Sequence, residues 1–415
     1  MSTAPAAGFA RLTAAAVGVT AAAGLPLFLL GALAVAFGDE LGVGAADVGA
    51  AVALFFLTSV LAGPLVIGVI ERLGARSGAL LTCLASAAAL TAIALVVTSR
   101  AGLFAAMALA GFGQAFGQPS ANGLLSRGLT VDREGTAFGL KQSAVPLSTL
   151  LAGATVPLLA LTVGWRAAYA LTAVLVLAVP VLVPPTPRVR GRGAGRSARG
   201  SISPRLLWLA AGGVCAAAPT MALGSFLVAT AVGHGIAVGT AGWLLVAGSV
   251  AAILIRLALG VAVDAAAPRR VEPLQVMPLM MAAGAVGVAL LGVAAGPVAF
   301  TVATLAAFGL GWAWNGLMDV AVVRLNRDAP ASATSVFLTA FFLGAAVGPL
   351  AFGATVEAAG FAVAWAGAGA LLAAAAGCVT LARFSPATPR PRPDRRRRRP
   401  VRERGTDGGG RAGHR

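Results

Sequence analysis

The sequence predicts an all-α polytopic membrane protein with twelve transmembrane helices in two pseudo-symmetric six-helix bundles. Three observations predict it. Of 415 residues, 58% are hydrophobic and only 11% charged, with mean hydropathy +0.89, where soluble domains carry about 25% charged residues. Apolar runs of roughly 20 residues recur from Leu12 to Phe384, the length a helix needs to cross about 30 Å of hydrocarbon. The first and second halves of the chain also match each other in order.

Apolar windows cut by charge and turn residues give spans at 12–38, 47–70, 77–98, 101–126, 135–160, 165–183, 205–231, 240–262, 272–293, 297–322, 332–356 and 361–383. The first span follows Arg11 and is too long for a signal-peptide core, so it is expected to be a permanent helix. Asp39, Glu40 and Asp47 separate it from the second; Arg72 and Arg76 follow the second, and Arg100 follows the third. Arg127 and Arg133 lie between the fourth and fifth spans, and Gly164 and Arg166 flank the start of the sixth. A basic Pro/Gly-rich linker, 184–204, divides the chain, and Arg269, Arg270, Arg324 and Arg327 punctuate the second half. The expected organisation is an N-terminal bundle at 1–183, a cytoplasmic linker at 184–204, a C-terminal bundle at 205–385 and a disordered basic tail at 386–415. With the N-terminus inside, only Arg100 and Arg166 fall outside, while the acidic first loop is external. That orientation makes both termini cytoplasmic in a plasma-membrane protein.

The formal charge of +17 is concentrated between Arg188 and Arg205 and between Arg390 and Arg415. Both segments lack apolar periodicity and read as solvated chain near anionic lipid headgroups. Neither carries aromatic stacking residues, which argues against nucleic-acid binding. Cys83, Cys215 and Cys378 lie singly in apolar runs, and His234 and His414 are the only histidines. No metal or other cofactor is therefore expected. No GxxxxGK[ST] loop is present to use ATP, and no HExxH or GxSxG supports an intramembrane enzyme.

At a shift of 193 residues Pro26 pairs with Pro219, Gly31 with Gly224, Gly49 with Gly242 and Glu71 with Asp264. Asp47 and Thr240 stand where each would cap the next helix. Later the shift drifts, matching Gly111-x-Gly113 with Gly309-x-Gly311 and Gly164-Trp165 with Gly360-Phe361. Ordered pairs of this kind indicate a duplicated six-helix unit.

Between the second and third spans the chain reads Ile67-Gly68-Val69-Ile70-Glu71-Arg72-Leu73-Gly74-Ala75-Arg76; between the eighth and ninth it reads Gly260-Val261-Ala262-Val263-Asp264, followed by Arg269 and Arg270. Over about residues 10 to 385 the chain resembles the major facilitator superfamily, whose loop signature is G-x-L-a-D-R-x-G-R-R. The resemblance implies a conformational latch at Glu71, Arg72, Gly74, Arg76, Gly260 and Asp264, in which a carboxylate beside Arg at a helix end stabilises one conformer. The departures are Ile67 for Gly, Glu71 for Asp and the loss of Arg after Asp264. Proton-coupled drug antiporters of the family carry an Arg where this chain has Met107, and a Gly-x-x-x-Gly-Pro in the fifth helix. Here Ser143-Ala144-Val145-Pro146 stands there, and the motif occurs instead as Gly344-x-x-x-Gly348-Pro349 in the eleventh. Drug antiport is therefore disfavoured.

Ionisable groups inside apolar spans are costly and mark function until a partner is found. Lys141, the only lysine, lies in the fifth span beside Gln142, and Arg256 lies about 12 Å from the Asp264 end of the eighth. Family architecture sets these two helices against each other, so the two cations can share one cavity and bind an anion. The Arg256-to-Gly260 spacing resembles the Arg-x-x-x-Gly of monocarboxylate carriers, whose arginine contacts the substrate carboxylate. Equally, Lys141 can snorkel to headgroups and Arg256 can bond a backbone carbonyl or Asp264. Gln114, Gln118 and Asn122 form one stripe on the fourth helix, and Asn315 and Asp319 a matching one on the tenth. They either line the cavity or bond within their bundles. Asp319 is the candidate for proton coupling, because a carboxylate in an apolar span must be paired or protonated. A bridge to Arg324 or Arg327 would remove that role. Trp312 and Trp314 either stack on substrate or pack, and Pro26, Pro146, Pro219 and Pro349 mark bends.

The sequence thus points to a secondary transporter moving a small solute, expected to be a small organic anion, by alternating access. Lys141, Arg256, Gln118, Asn122 and Asn315 are the expected substrate ligands and a proton the coupling ion. Drug or amphiphile efflux by proton antiport is the alternative, a transport-dead membrane sensor the remote one, and a monomer the expected state.

Overall fold

The computed structural model describes residues 6–128, 140–185, 203–265, 273–326 and 330–385. Every regular element among them is helical: α1 (Ala6–Leu41), α2 (Ala45–Leu61), α3 (Gly63–Leu73), α4 (Ala75–Leu95), α5 (Arg100–Gly128), α6 (Ala144–Thr155), α7 (Trp165–Ala178), α8 (Pro204–Gly233), α9 (Val238–Ala265), α10 (Pro273–Leu290), α11 (Gly296–Gly309), α12 (Asn315–Leu325) and α13 (Pro330–Phe384). Short 3₁₀ and π turns extend α6 and α7. Among the described residues, seven helices are alone long and apolar enough to cross a membrane, or eight if the bent pair α2 and α3 is one span. At 1.5 Å per residue α13 is about 80 Å long if straight, too long for one crossing. It is two helices joined at Gly360, whose φ of 82° breaks the coil. These legs fall in the windows expected from sequence.

The breaks have local causes. α2 and α3 meet at 47° around Ala62, where Pro64 removes an amide from the new first turn. Gly74, with φ 87°, ends α3 and starts α4 in a backbone region closed to most side chains. The expected span 297–322 is instead two helices, α11 and α12, separated by turns at 310–314. Asp47 caps α2 not from the N-cap, which is Gly44, but from the third helical position, where it accepts the Gly44 amide at 3.0 Å.

α1 and α8 are buried along most of their length and pack on each other. Their crossing depends on Gly31: a Cβ there would stand 2.7 Å from the Gly224 carbonyl. α6 crosses α9 in the same way, a Cβ on Gly153 falling 2.9 Å from the Gly242 carbonyl and one on Gly242 falling 2.8 Å from that of Gly153. α13 packs on α2 and α8. Close to the α1–α2 turn, the Glu357 carboxylate of α13 accepts the Ala46 amide of α2 at 2.9 Å. On the outer faces, Leu57, Leu84, Leu175, Leu254 and Leu279 are exposed. In water such a surface would drive aggregation; against lipid tails it is solvated.

At the α1–α2 end, Glu40 accepts hydrogen bonds from Arg166 and from Trp165 Nε1, the latter at 2.9 Å. The Arg166 guanidinium also lies 4.2 Å from the Trp165 ring and donates to the Val97 carbonyl. The bond from Arg166, and next the one from Trp165, holds the Glu40 carboxyl below the usual carboxylate range.

Candidate functional site

Four legs bring polar groups together. Lys141 and Gln142 sit in a helical turn before α6, Asn122 on α5, Arg256 on α9, and Trp312 and Asp319 on the α11–α12 leg. The buried Lys141 donates to Asn122 Oδ1 at 2.9 Å, and the Gln142 side-chain amide donates to Asp319. Arg256 donates from one terminal nitrogen to the Gln142 carbonyl and from the other to the Trp312 carbonyl, both at 2.9 Å.

Both carbonyls are available because their helices are interrupted. In a continuous helix the Gln142 carbonyl would receive the amide of residue 146, but that residue is Pro146, which has none. The backbone turns at Ser143 and restarts as α6 at Ala144. Trp312 sits in the turns between α11 and α12. Irregular backbone at membrane depth is tolerated where it lines a site or finds side-chain partners, and the Arg256 fork supplies the partner to both.

The electrostatics are lopsided. Asp319 interacts with Lys141 and Arg256 without a direct ion pair to either, and it forms none with Arg324; Arg327 lies outside the described residues. Two cations thus face one carboxylate. Arg256 Nε, Trp312 Nε1, Trp314 Nε1 and Gln114 Oε1 are buried without hydrogen-bond partners among the described residues. The Trp312 ring packs on Phe28 of α1 and Phe308 of α11, at centroid distances of 5.9 and 5.2 Å.

Of the expected substrate ligands, Lys141, Asn122 and Arg256 lie in this one network, together with Asp319, the expected proton-coupling residue. Arg256 bonds backbone carbonyls, the second of the two alternatives for it, and one of those carbonyls belongs to the leg that carries Lys141. Gln118 and Asn315 are half-buried, and their side chains make no hydrogen bond among the described residues. Gln142 is the residue that sequence reasoning passed over; Pro146, four positions on, was the available signal. For the expected latch, Gly74 forms the α3–α4 turn and Arg72 lies exposed in the last turn of α3, while Arg76 is in the first turns of α4. Gly260 lies within α9, and the side chains of Glu71 and Asp264 lie outside what the structure describes.

The sequence matches the family model "Major Facilitator Superfamily" over residues 15–211, just under half the chain. No curated protein matches it. Among solved structures, the fold is similar to the nucleoside transporter NupG, solved as a point mutant, with TM-score 0.71 and 15% identity over 90% of this chain and 99% of that one. A D-xylose-proton symporter gives TM-score 0.73 and 14% identity over 91% of this chain and 98% of the other. The signature between α2 and α4, the family-model match and the structural likeness lead to one conclusion: residues 15–211 match the Major Facilitator Superfamily, and nine-tenths of the chain shares its fold with solved membrane transporters.

Proposed function

We propose that the protein is a secondary transporter of a small organic anion, coupled to protons through Asp319 and working by alternating access of two bundles, 1–183 and 205–385. The observation that carries this reading is the charge balance of the network: Lys141 and Arg256 face a single carboxylate. Surplus positive charge at membrane depth is costly and is relieved by an anion. The unpartnered Arg256 Nε is a donor such an anion can use, and Gln118, Asn122 and Asn315 are the neutral ligands assigned to it in this reading. Protonation of Asp319 enlarges the surplus, so proton and anion binding reinforce each other, the linkage a symporter needs. A proton as coupling ion has support from the D-xylose-proton symporter of similar fold.

In this reading the signature at Glu71, Arg72, Gly74, Arg76, Gly260 and Asp264 is the latch on the cytoplasmic side, both termini are cytoplasmic, and the basic segments lie against anionic headgroups of the plasma membrane. A single chain suffices for the cycle.

The test is thermal stabilisation of purified protein by small carboxylates, inorganic anions and lipophilic cations, in wild type and Arg256→Ala. A ligand bound only by the folded state raises stability by RT ln(1 + [L]/Kd), about 2.7 kcal/mol at 100 times Kd. The expected result is stabilisation by carboxylates that falls at least tenfold in apparent affinity in Arg256→Ala. Stabilisation by cations or neutral amphiphiles, unchanged in the variant, replaces anion transport with amphiphile efflux.

A further inference from the structure

We propose that Gln142 is the positioning residue through which the charge on Asp319 controls the contact between the α5–α6 side of the protein and the α9–α12 side. This rests on the reading of Asp319 as the proton-coupling group.

Gln142 touches the facing side twice, with different groups. Its side-chain amide donates to Asp319, and its backbone carbonyl accepts from Arg256 at 2.9 Å. The first bond depends on charge: an ionised carboxylate accepts an N–H strongly, while a protonated one loses that charge assistance. The second exists because Pro146 leaves the carbonyl free. Arg256 ties that carbonyl to the one of Trp312, seven residues before Asp319 on the same leg. The two bonds therefore close a loop, Gln142 to Asp319 along the leg to Trp312, then through Arg256 back to Gln142. Loss of the Asp319 bond opens the loop and leaves one contact where there were two. Lys141 and Arg256 are the charged groups that act on Asp319 from the facing elements. Lys141 is held by Asn122 on its own side and does not span the contact.

Two substitutions separate the two bonds. Gln142→Met keeps size and backbone but removes the amide. Pro146→Ala returns a backbone N–H that competes with Arg256 for the Gln142 carbonyl. The readout needs no substrate: spin labels at Leu65→Cys on α3 and Val323→Cys on α12, both exposed positions, in full-length protein with Cys83, Cys215 and Cys378 replaced. Distance distributions are recorded in phosphatidylethanolamine/phosphatidylglycerol vesicles at pH 5.5 and 8.5. Asp319→Asn is measured in parallel, and melting curves show which variants are folded.

The expected result is a distribution that shifts with pH in wild type, a shift lost in Asp319→Asn and reduced at least threefold in Gln142→Met and in Pro146→Ala. A purely structural role for Gln142 would lower the melting temperature and leave the pH shift intact. If Asp319→Asn removes the shift while either other variant keeps it whole, the role of Gln142 is overturned and Asp319 stands. If Asp319→Asn keeps the shift, or wild type shows none, the coupling role of Asp319 fails and this inference with it.

Discussion

A single carboxylate at the α1–α2 end gives the plainest pH dependence. Glu40 has its carboxyl lowered chiefly by the Arg166 hydrogen bond and then by that of Trp165. A carboxyl with a depressed folded-state value stabilises the fold above its unfolded value, near 4.3, and loses that contribution as pH falls through the folded value. Wild type is therefore expected to melt above Glu40→Gln at pH 7, with the two converging below about pH 4; melting temperatures from pH 3 to 8 check it. The group is exposed, so the gap is small and shrinks with added salt. At the same scale, Asp319→Asn is expected to abolish proton-driven accumulation while exchange of solute across vesicles continues, because the neutral side chain can still accept and donate hydrogen bonds but cannot exchange a proton.

Helix contacts set the next scale. Gly44, before α2, has no room for a side chain: a Cβ there would stand 2.6 Å from the Glu357 carboxylate oxygen that accepts the Ala46 amide. Gly44→Ala is expected to displace Glu357 and cost roughly 0.3–1 kcal/mol, the worth of a carboxylate at an exposed helix N-terminus. Glu357→Gln should reproduce most of that loss, and differences between the two in chemical melting separate sterics from charge. The helices themselves were legible in the sequence because apolar length and glycine or charge punctuation are local properties. The 310–314 interruption was not, since its glycine and two tryptophans also suit a continuous membrane helix. For the site, Lys141, Arg256 and Asp319 stood out because charge is conspicuous in an apolar run. The carbonyl partners of Arg256 did not, because a backbone carbonyl has no letter in the sequence; only Pro146 marked one of them, and it was read as a bend.

Across the whole molecule, the glycine crossings of α1 with α8 and α6 with α9, and the bond from Glu357 to α2, tie the two sides of the protein together toward the α1–α2 end. The network of Gln142, Arg256 and Asp319 ties them again on the far side of those crossings from that turn. In the proposed alternating-access cycle these ties yield one set at a time: the glycine crossings with the exposed Glu357 bond on one side, and the buried Asp319 and Arg256 bonds on the other. Gly242→Leu is expected to splay the α6–α9 crossing and make cysteines placed near its outer end reactive to aqueous maleimide, with stability lowered by about 1–3 kcal/mol, as overpacking does. Lys141 adds a practical consequence. It is the chain's single lysine, and it is buried with its amine bonded to Asn122. Apart from the α-amino group, an acylating reagent therefore has one amine to find. Its rate of modification at that position, followed by mass spectrometry on the unmutated protein, becomes a clock for how often the network opens.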